Sequence, residues 1–477
     1  MAFVPVPGEE LTEPGRASTA AEADRAAQLA AAIPAPVLQI LTTLQAAGHA
    51  TWVVGGSLRD TLLGFVARDW DLATAARPEQ TQTLFADAIY ENAFGTVAVR
   101  TGDPVVGKVE VTTLRSDHDY ADFRRPHHVE FTDSIELDLA RRDLTVNAIA
   151  WGGRAGEPAA LVDPHDGLAD LATRTLRAVG DPRRRFEEDA LRMLRVVRLA
   201  ATLDFGIEAG TLAGIQSRAD NVRHLSGERI AAELARMLAA PVPSVALRLL
   251  ADLGLLEPIS TELAAQRGVP QNKVPGEDLW DHTLRAVDAA ASEPSYLRLA
   301  ALVHDIGKPA TMADGRFLRH DAVGADLAGE LLDTLRWRRD ERERIVELVR
   351  HHMYGYVPDW SDAAVRRFIA KVRPEVLPDL FMLREADNLG SGRERSAGHL
   401  DDIRARVARE LDAGVVLDLR GLAVDGDDLQ RELGIPPGPR LGTILEALLE
   451  RVIADPDTNR RATLLAIARS LLTAKPT

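Results

Sequence analysis

The chain has 477 residues, 46% hydrophobic and 27% charged, with a formal net charge of −15. Such a composition can bury sizeable cores, and the length suits roughly three domains. Cysteine is absent, which excludes disulfides and thiolate metal sites and leaves His, Asp and Glu to hold any metal.

From the start of the chain, residues 1–33 are rich in Ala, Glu, Pro and Gly without a clear apolar stripe, and disorder is expected over part of them. They lack the basic-then-apolar order of a secretory signal, and no apolar run is long enough to span a bilayer. A cytoplasmic protein with no membrane partner is therefore expected. From residue 34 to about 175, helix and strand patterns alternate: a helical run after Pro34 and Pro36, then strands at Thr51–Val54, Trp70–Ala73, Gly95–Arg100 and Lys108–Thr113. From about 175 onward the pattern is helical to the end, punctuated by Pro and Gly.

The most informative stretch is Gly55-Gly56-Ser57-Leu58-Arg59-Asp60, followed by Asp69-Trp70-Asp71. Glycines lacking a Cβ let the backbone approach a phosphate closely. Aspartates at i and i+2 on a strand project from one face and suit a pair of divalent cations gripping a triphosphate. Glu110, on a later strand, is a candidate third carboxylate. In Arg141-Arg142-Asp143-Leu144-Thr145-Val146-Asn147, Arg142 can hold phosphate, while Asp143 and Asn147, read as one helical face, can receive ribose hydroxyls. In Glu187-Glu188-Asp189-Ala190-Leu191-Arg192, Asp189 and Arg192 are three apart, and one shared helical face is predicted. A carboxylate accepts from an exocyclic amine and a guanidinium donates to a bare ring nitrogen, a pattern that admits C and A and leaves U and G unpaired. The plain alternative is an intrahelical salt bridge. The acidic balance argues against nucleic acid, but eight arginines between Arg174 and Arg198 face only four acidic residues, a local basic strip.

Together GGSLRDTLLG, DWDLAT, RRDLTVNA, DPHDGLADL, EEDALRMLR and LSGERIAAEL, in this order over about residues 50–235, resemble the class II tRNA nucleotidyltransferase and bacterial poly(A) polymerase family. The resemblance implies an α+β protein, with a small α/β nucleotidyltransferase head followed by an all-helical neck and a helical body. Asp69 and Asp71 would bind catalytic Mg2+, with Glu110 beside them. Gly55, Gly56, Arg59, Arg142, Asp143, Asn147, Glu188, Asp189, Arg192 and Arg195 would bind nucleotide, with Asp189 and Arg192 reading the base. The implied partners are tRNA, ATP and CTP, and the implied reaction is template-independent addition of CMP and AMP to the tRNA 3′ end with release of pyrophosphate. Poly(A) addition is the alternative product. Thr113–Pro126 resembles the mobile loop of complete CCA-adding members, and Phe94-Gly95-Thr96-Val97 points the same way.

In the body, His282, His304, Asp305, His320, His351 and Asp387 recur in an order that suits a divalent metal of unspecified identity. This spacing resembles the HD phosphohydrolase domain, with His282, His304, Asp305 and Asp387 matching its basic ligand set and His320 and His351 either extra ligands or phosphate contacts. The resemblance implies a phosphatase or 2′,3′-cyclic phosphodiesterase. An inactive platform within an RNA-binding regulator is the alternative. The expected boundaries are 1–33, head 34–175, neck 176–265, HD domain 266–400 and helical tail 401–477, with the oligomeric state open.

Overall fold

The computed structural model describes residues 28–67, 69–92, 95–120, 126–271 and 273–473. Of the stretch expected to be disordered, residues 1–27 lie outside those described. Residues 28–32 are helical and Leu29 and Ile33 are buried, so the apolar pair four residues apart already belongs to a packed helix. The chain divides into two compact units, one ending at His224 and one beginning at Leu225, and the expected neck is shared between them. Among the described residues, no helix is long and apolar enough to cross a membrane.

The first unit is built on a seven-stranded sheet of order β3-β4-β5-β2-β1-β8-β9. Its strands are β1 Thr51–Val54, β2 Trp70–Thr74, β3 Ala88–Asn92, β4 Thr96–Arg100, β5 Lys108–Thr113, β8 Ala150–Gly153 and β9 Ala160–Val162. Only β2 and β5 run parallel, aligning Asp71 with Glu110; β1 is antiparallel to β2, aligning Val54 with Asp71. The helix Ala35–Ala46 buries Val37, Ile40, Leu41 and Leu44, the i, i+3, i+4, i+7 stripe of a helix lying on a sheet, here against β1 and β2. On the core side β1 and β2 contribute Val54 and Ala73, which pack with Leu114, Ile135 and Leu139. Two further strands, β6 Arg115–Tyr120 and β7 Pro126–Phe131, pair antiparallel. The stretch expected to be a mobile loop is thus largely a hairpin, and its residues 121–125 lie outside those described, as does Phe94.

Beyond the head the chain is helical, as the periodicity predicts, apart from two pairs of very short strands. β10 Thr175–Leu176 pairs in parallel with β11 Gly206–Ile207, and β12 Met312–Ala313 pairs with β13 Arg316–Phe317. Strands of two residues are too short to leave an alternating pattern in the sequence. The rest of the second unit is helical. Its last helices, Gly426–Leu433, Pro439–Ala454 and Arg461–Thr473, close over their own core of Leu429, Ile444, Leu448, Val452 and Leu464. The buried Arg366 fastens that core to the preceding helices, donating to the carbonyls of Ile453 (2.6 Å) and Ala454 (3.0 Å) and to Glu410 (2.9 Å).

Candidate active sites

In the first unit, strand register sets the chemistry. Asp71 and Glu110 are partners across β2 and β5, while Asp69 stands exposed just before β2. Burial pushes the Asp71 carboxyl up to about 6; Arg142 opposes this, and Glu110 and Asp69 add to it as like charges. Gly55 starts the helix Gly55–Leu62 at φ +79°, and a Cβ there would lie 3.2 Å from Asp71 Oδ2 and 3.3 Å from an Arg142 nitrogen. Only glycine is comfortable with that φ and that approach, so the backbone at the head of the helix stays open beside Asp71. Glu110 also accepts from Lys108 at 2.9 Å on a half-exposed surface.

A chain of polar contacts leads away from the carboxylates. Arg59, buried, donates to Asp60 (2.6 Å) and to Asn147 Oδ1 (2.7 Å), and Asn147 donates in turn to Asp143 Oδ1 (3.1 Å). Arg195 Nε closes the chain on Asp143 Oδ2 at 2.7 Å. Burial works to raise the Asp143 carboxyl, and the charge of Arg195 with the Asn147 hydrogen bond outweighs it, holding the group far below the usual carboxylate range. Arg142 and Arg141 are both anchored on the buried Asp138, at 3.1 and 2.6 Å. Sequence reasoning missed Asp138; its position four residues before Arg142 and three before Arg141 was the available signal. Gly56 packs beside the Arg59 guanidinium, which would lie 3.6 Å from a Cβ.

Two geometric expectations are corrected. Asp143 and Asn147 meet, but across a turn and the short 3-10 helix Thr145–Asn147 rather than along an α-helical face. Asp189 and Arg192 do not share a helical face either. Asp189 is extended (φ −151°, ψ 106°), closing the helix Pro182–Glu188. Its carboxylate accepts from the Leu191 amide at 3.0 Å, at the start of the helix Leu191–Leu203. An aspartate is at home in such a break because it competes with the helix for backbone donors. Arg192 turns back, donating to Glu188 (2.6 Å) and to the carbonyls of Arg185 (3.1 Å) and Arg141 (3.0 Å). Glu188 also accepts from Arg185 at 2.9 Å.

In the second unit, five elements converge. His282 lies in the helix Leu279–Ala289, His304 and Asp305 follow the helix Tyr296–Val303, and His320 opens the helix His320–Thr334. Asp387 sits near the end of the helix Leu377–Gly390. The sixth side chain of the cluster is His352, at the end of the helix Arg339–His351, and the expected His351 is not among them. His352 continues the buried stripe of Ile345, Leu348 and Val349 at i, i+3, i+4 and i+7 and is 3% exposed, whereas His351 falls off that stripe. That spacing was the signal in the sequence.

Two groups, His282, His304 and Asp387, and Asp305, His320 and His352, each bring their ligand atoms within 4.8 Å of one another. Asp305 joins them: its Oδ2 lies 3.1 Å from His304 Nε2 and 3.3 Å from His282 Nε2, and its Oδ1 3.4 Å from His320 and 3.5 Å from His352. His304, His320 and His352 each point Nδ1 at a backbone carbonyl, of Ala301, Phe317 and Val349, at 2.6–2.7 Å. That contact fixes the tautomer and leaves Nε2 to face inward as a lone-pair donor. Nε2 of His320 and of His352 are buried without a hydrogen-bond partner, as donors aimed at a cation would be. Gly307 lets the His304-Asp305 turn reach its neighbour: a Cβ there would meet the His320 carbonyl at 2.4 Å. Lys308, missed in the sequence, donates to Asp305 Oδ2 at 2.6 Å.

Carboxylates paired across a mixed sheet, beside a glycine-opened helix start and an arginine network, define a nucleotidyltransferase head, and the second unit carries an HD domain. Both domain types use divalent metals, and both donor sets here fit them. The chain matches the family models of the Poly A polymerase head domain (residues 51–177), the RNA and SrmB-binding site of polymerase A (204–267), the HD domain (279–413) and tRNA nucleotidyltransferase domain 2 (396–468). It is 33% identical to the CCA-adding enzyme of Streptococcus thermophilus over 91% of this chain and 96% of that one. A similar protein, the CCA-adding enzyme of Levilactobacillus brevis, is also 33% identical, over 90% and 96%. Among solved structures, the Bacillus stearothermophilus CCA-adding enzyme in complex with CTP aligns with a TM-score of 0.67 and 26% identity over 92% of this chain and 98% of that one. The chain belongs to the CCA-adding enzyme family and is a nucleotidyltransferase.

Proposed function

We propose that the first unit adds CMP and AMP to the 3′ end of tRNA, taking CTP and ATP as substrates and releasing pyrophosphate, with Mg2+ as the working ion. The observation that carries this reading is the Asp71–Glu110 register beside the open backbone at Gly55, within a chain similar along nearly its whole length to CCA-adding enzymes. Asp69 and Asp71, with Glu110 at their side, would hold the ions, which when bound would supply charge neutralisation to the triphosphate and a more acidic attacking hydroxyl. Asp143, kept ionised by Arg195, receives the ribose hydroxyls, and Arg142 on its Asp138 anchor faces the phosphates. Asp189 and Arg192 offer an acceptor and a donor from either side of the helix break, the pair that C and A satisfy and U and G do not. The RNA 3′ hydroxyl gives up its proton to water, and its oxygen forms the new bond to the α-phosphorus as the bond to pyrophosphate breaks. Such a role places the protein in the cytoplasm, with tRNA and nucleotides. Incubation with tRNA lacking its last three nucleotides, Mg2+, CTP and ATP, followed by sequencing, tests the proposal: ends stopping at CCA are expected, and long adenosine tails would refute it.

For the second unit we infer a metal-dependent phosphohydrolase that clears a 2′,3′-cyclic or terminal phosphate from an RNA end. It rests on six converging ligands, two of them with orphaned inward Nε2 atoms. On a terminal phosphate, a water oxygen bonds to phosphorus, the ribose oxygen leaves and takes up a proton from that water, and inorganic phosphate is released. On a cyclic phosphate the first such displacement frees one ribose oxygen and a second, with another water, frees the other. His304→Ala should abolish this hydrolysis; hydrolysis that survives it would refute the assignment.

A further inference from the structure

The six ligands of the HD cluster are closed off unevenly. The side chains of His282, His304, Asp305 and His352 are 1–3% exposed and that of His320 8%, whereas Asp387 is 13% and the neighbouring Lys273 25% exposed. The cluster is therefore least buried on the side of Asp387, beside Lys273 and Arg384. Three cations surround the two carboxylates. Lys308 is committed to Asp305 at 2.6 Å. Arg384 lies 3.6 Å from Asp387 Oδ2, with another guanidinium nitrogen donating to the carbonyls of His352 (2.6 Å) and Tyr354 (2.9 Å) and its face over the Tyr354 ring. Lys273 differs from both. It reaches in from the segment before the helix Leu279–Ala289, and its described contacts, to His282 Nε2 and Asp387 Oδ1, are both 3.5 Å, longer than a well-formed charged hydrogen bond.

Three positive charges against two negative ones already favour an anion at this mouth, and a divalent cation among the histidines strengthens that preference. It also repels Lys273 from its present contacts, leaving its ammonium in need of an anionic partner in a poorly solvated place. An ammonium on a flexible stem binds a phosphate as a point charge that can follow it. We propose that Lys273 is the phosphate-binding residue of the HD site, taking a non-bridging oxygen of a terminal or cyclic phosphate as it enters past Asp387. The proposal rests on the phosphohydrolase reading of this cluster and specifies its ligand as a phosphate ester presented end-on.

The test uses the full chain loaded with manganese. Metal content is measured first, and then the affinity for inorganic phosphate by titration calorimetry, with His304→Ala supplying the share bound elsewhere. Lys273→Met is expected to keep the wild-type metal content and to bind phosphate about tenfold more weakly, a difference of about 1.4 kcal/mol; Lys273→Arg is expected to recover most of the affinity. Wild-type phosphate affinity with metal content intact in Lys273→Met would overturn the role of Lys273 alone. Loss of metal in Lys273→Met would also overturn it, by making Lys273 a support for the ligands. Wild-type protein binding phosphate no better than His304→Ala would overturn the phosphohydrolase reading, and this proposal with it.

Discussion

The two sites of this chain hold charge in opposite ways. In the head, carboxylates are placed by strand register and their company is arginine, so the site is strongly polar and open at Asp69. In the HD cluster, His304, His320 and His352 turn their Nε2 atoms inward while backbone carbonyls hold their other nitrogens, and nearly everything is buried. A site that grips a flexible triphosphate and an RNA end needs many cationic hydrogen-bond donors and room. A site that fixes metal for attack by water needs rigidly held ligands and little bulk solvent. The comparison predicts that either site can be lost while the other keeps working.

The largest expected effect is on the head. Asp71→Ala should lower nucleotide addition by about 10³-fold or more while hydrolysis of a cyclic phosphate continues; parallel loss of both activities would mean the sites are coupled. Next, His352→Ala should remove one of the two metal groups and most of the hydrolysis, whereas His351→Ala should leave bound metal, read by elemental analysis, at the wild-type level. Equal effects would break the assignment based on helical phase. Arg192→Ala should relax the preference for CTP and ATP over UTP by about 10²-fold in kcat/KM, and unchanged selectivity would reduce Arg192 to its contacts with Glu188 and the backbone. A separate effect falls on stability rather than on activity. With divalent ions chelated, burial of Asp71 favours its protonated form, so the folded chain loses stability as pH rises from about 4 to about 6. Asp71→Asn should escape that loss and unfold at higher denaturant above pH 6, by up to about 3 kcal/mol. Denaturant melts at pH 5 and pH 7.5 read the difference, and a gap that does not widen with pH would contradict it.

The same contrast explains what the sequence revealed. Asp71 and Gly55 were legible because their relation is local: a short strand and a glycine pair state their geometry within a few residues, whereas Asp69, expected on the same strand, stands just before β2. Glu110 was legible as a strand residue, but its pairing with Asp71 depends on the parallel β2–β5 register, which no local pattern encodes. Asp189 and Arg192 were misplaced on one face because helical spacing was assumed across a break that Asp189 itself creates. Order along the chain does not separate His351 from His352; the phase of Ile345, Leu348 and Val349 does, in favour of His352. Lys273, Lys308 and Arg384 carried no motif weight as single cations, and only the convergence of helices gives them a role.

The central claim is that two self-contained metal sites act in turn on one RNA end, and one substrate tests it directly. A tRNA lacking its CCA and ending in a 2′,3′-cyclic phosphate is incubated with CTP, ATP, Mg2+ and manganese, using the wild-type chain or His304→Ala, and the products are sequenced. The expected result is complete CCA ends from the wild type and an unextended, still blocked tRNA from His304→Ala, which nonetheless extends a tRNA with a free 3′ hydroxyl. Equal extension of the blocked tRNA by both proteins, or none by the wild type, would contradict it.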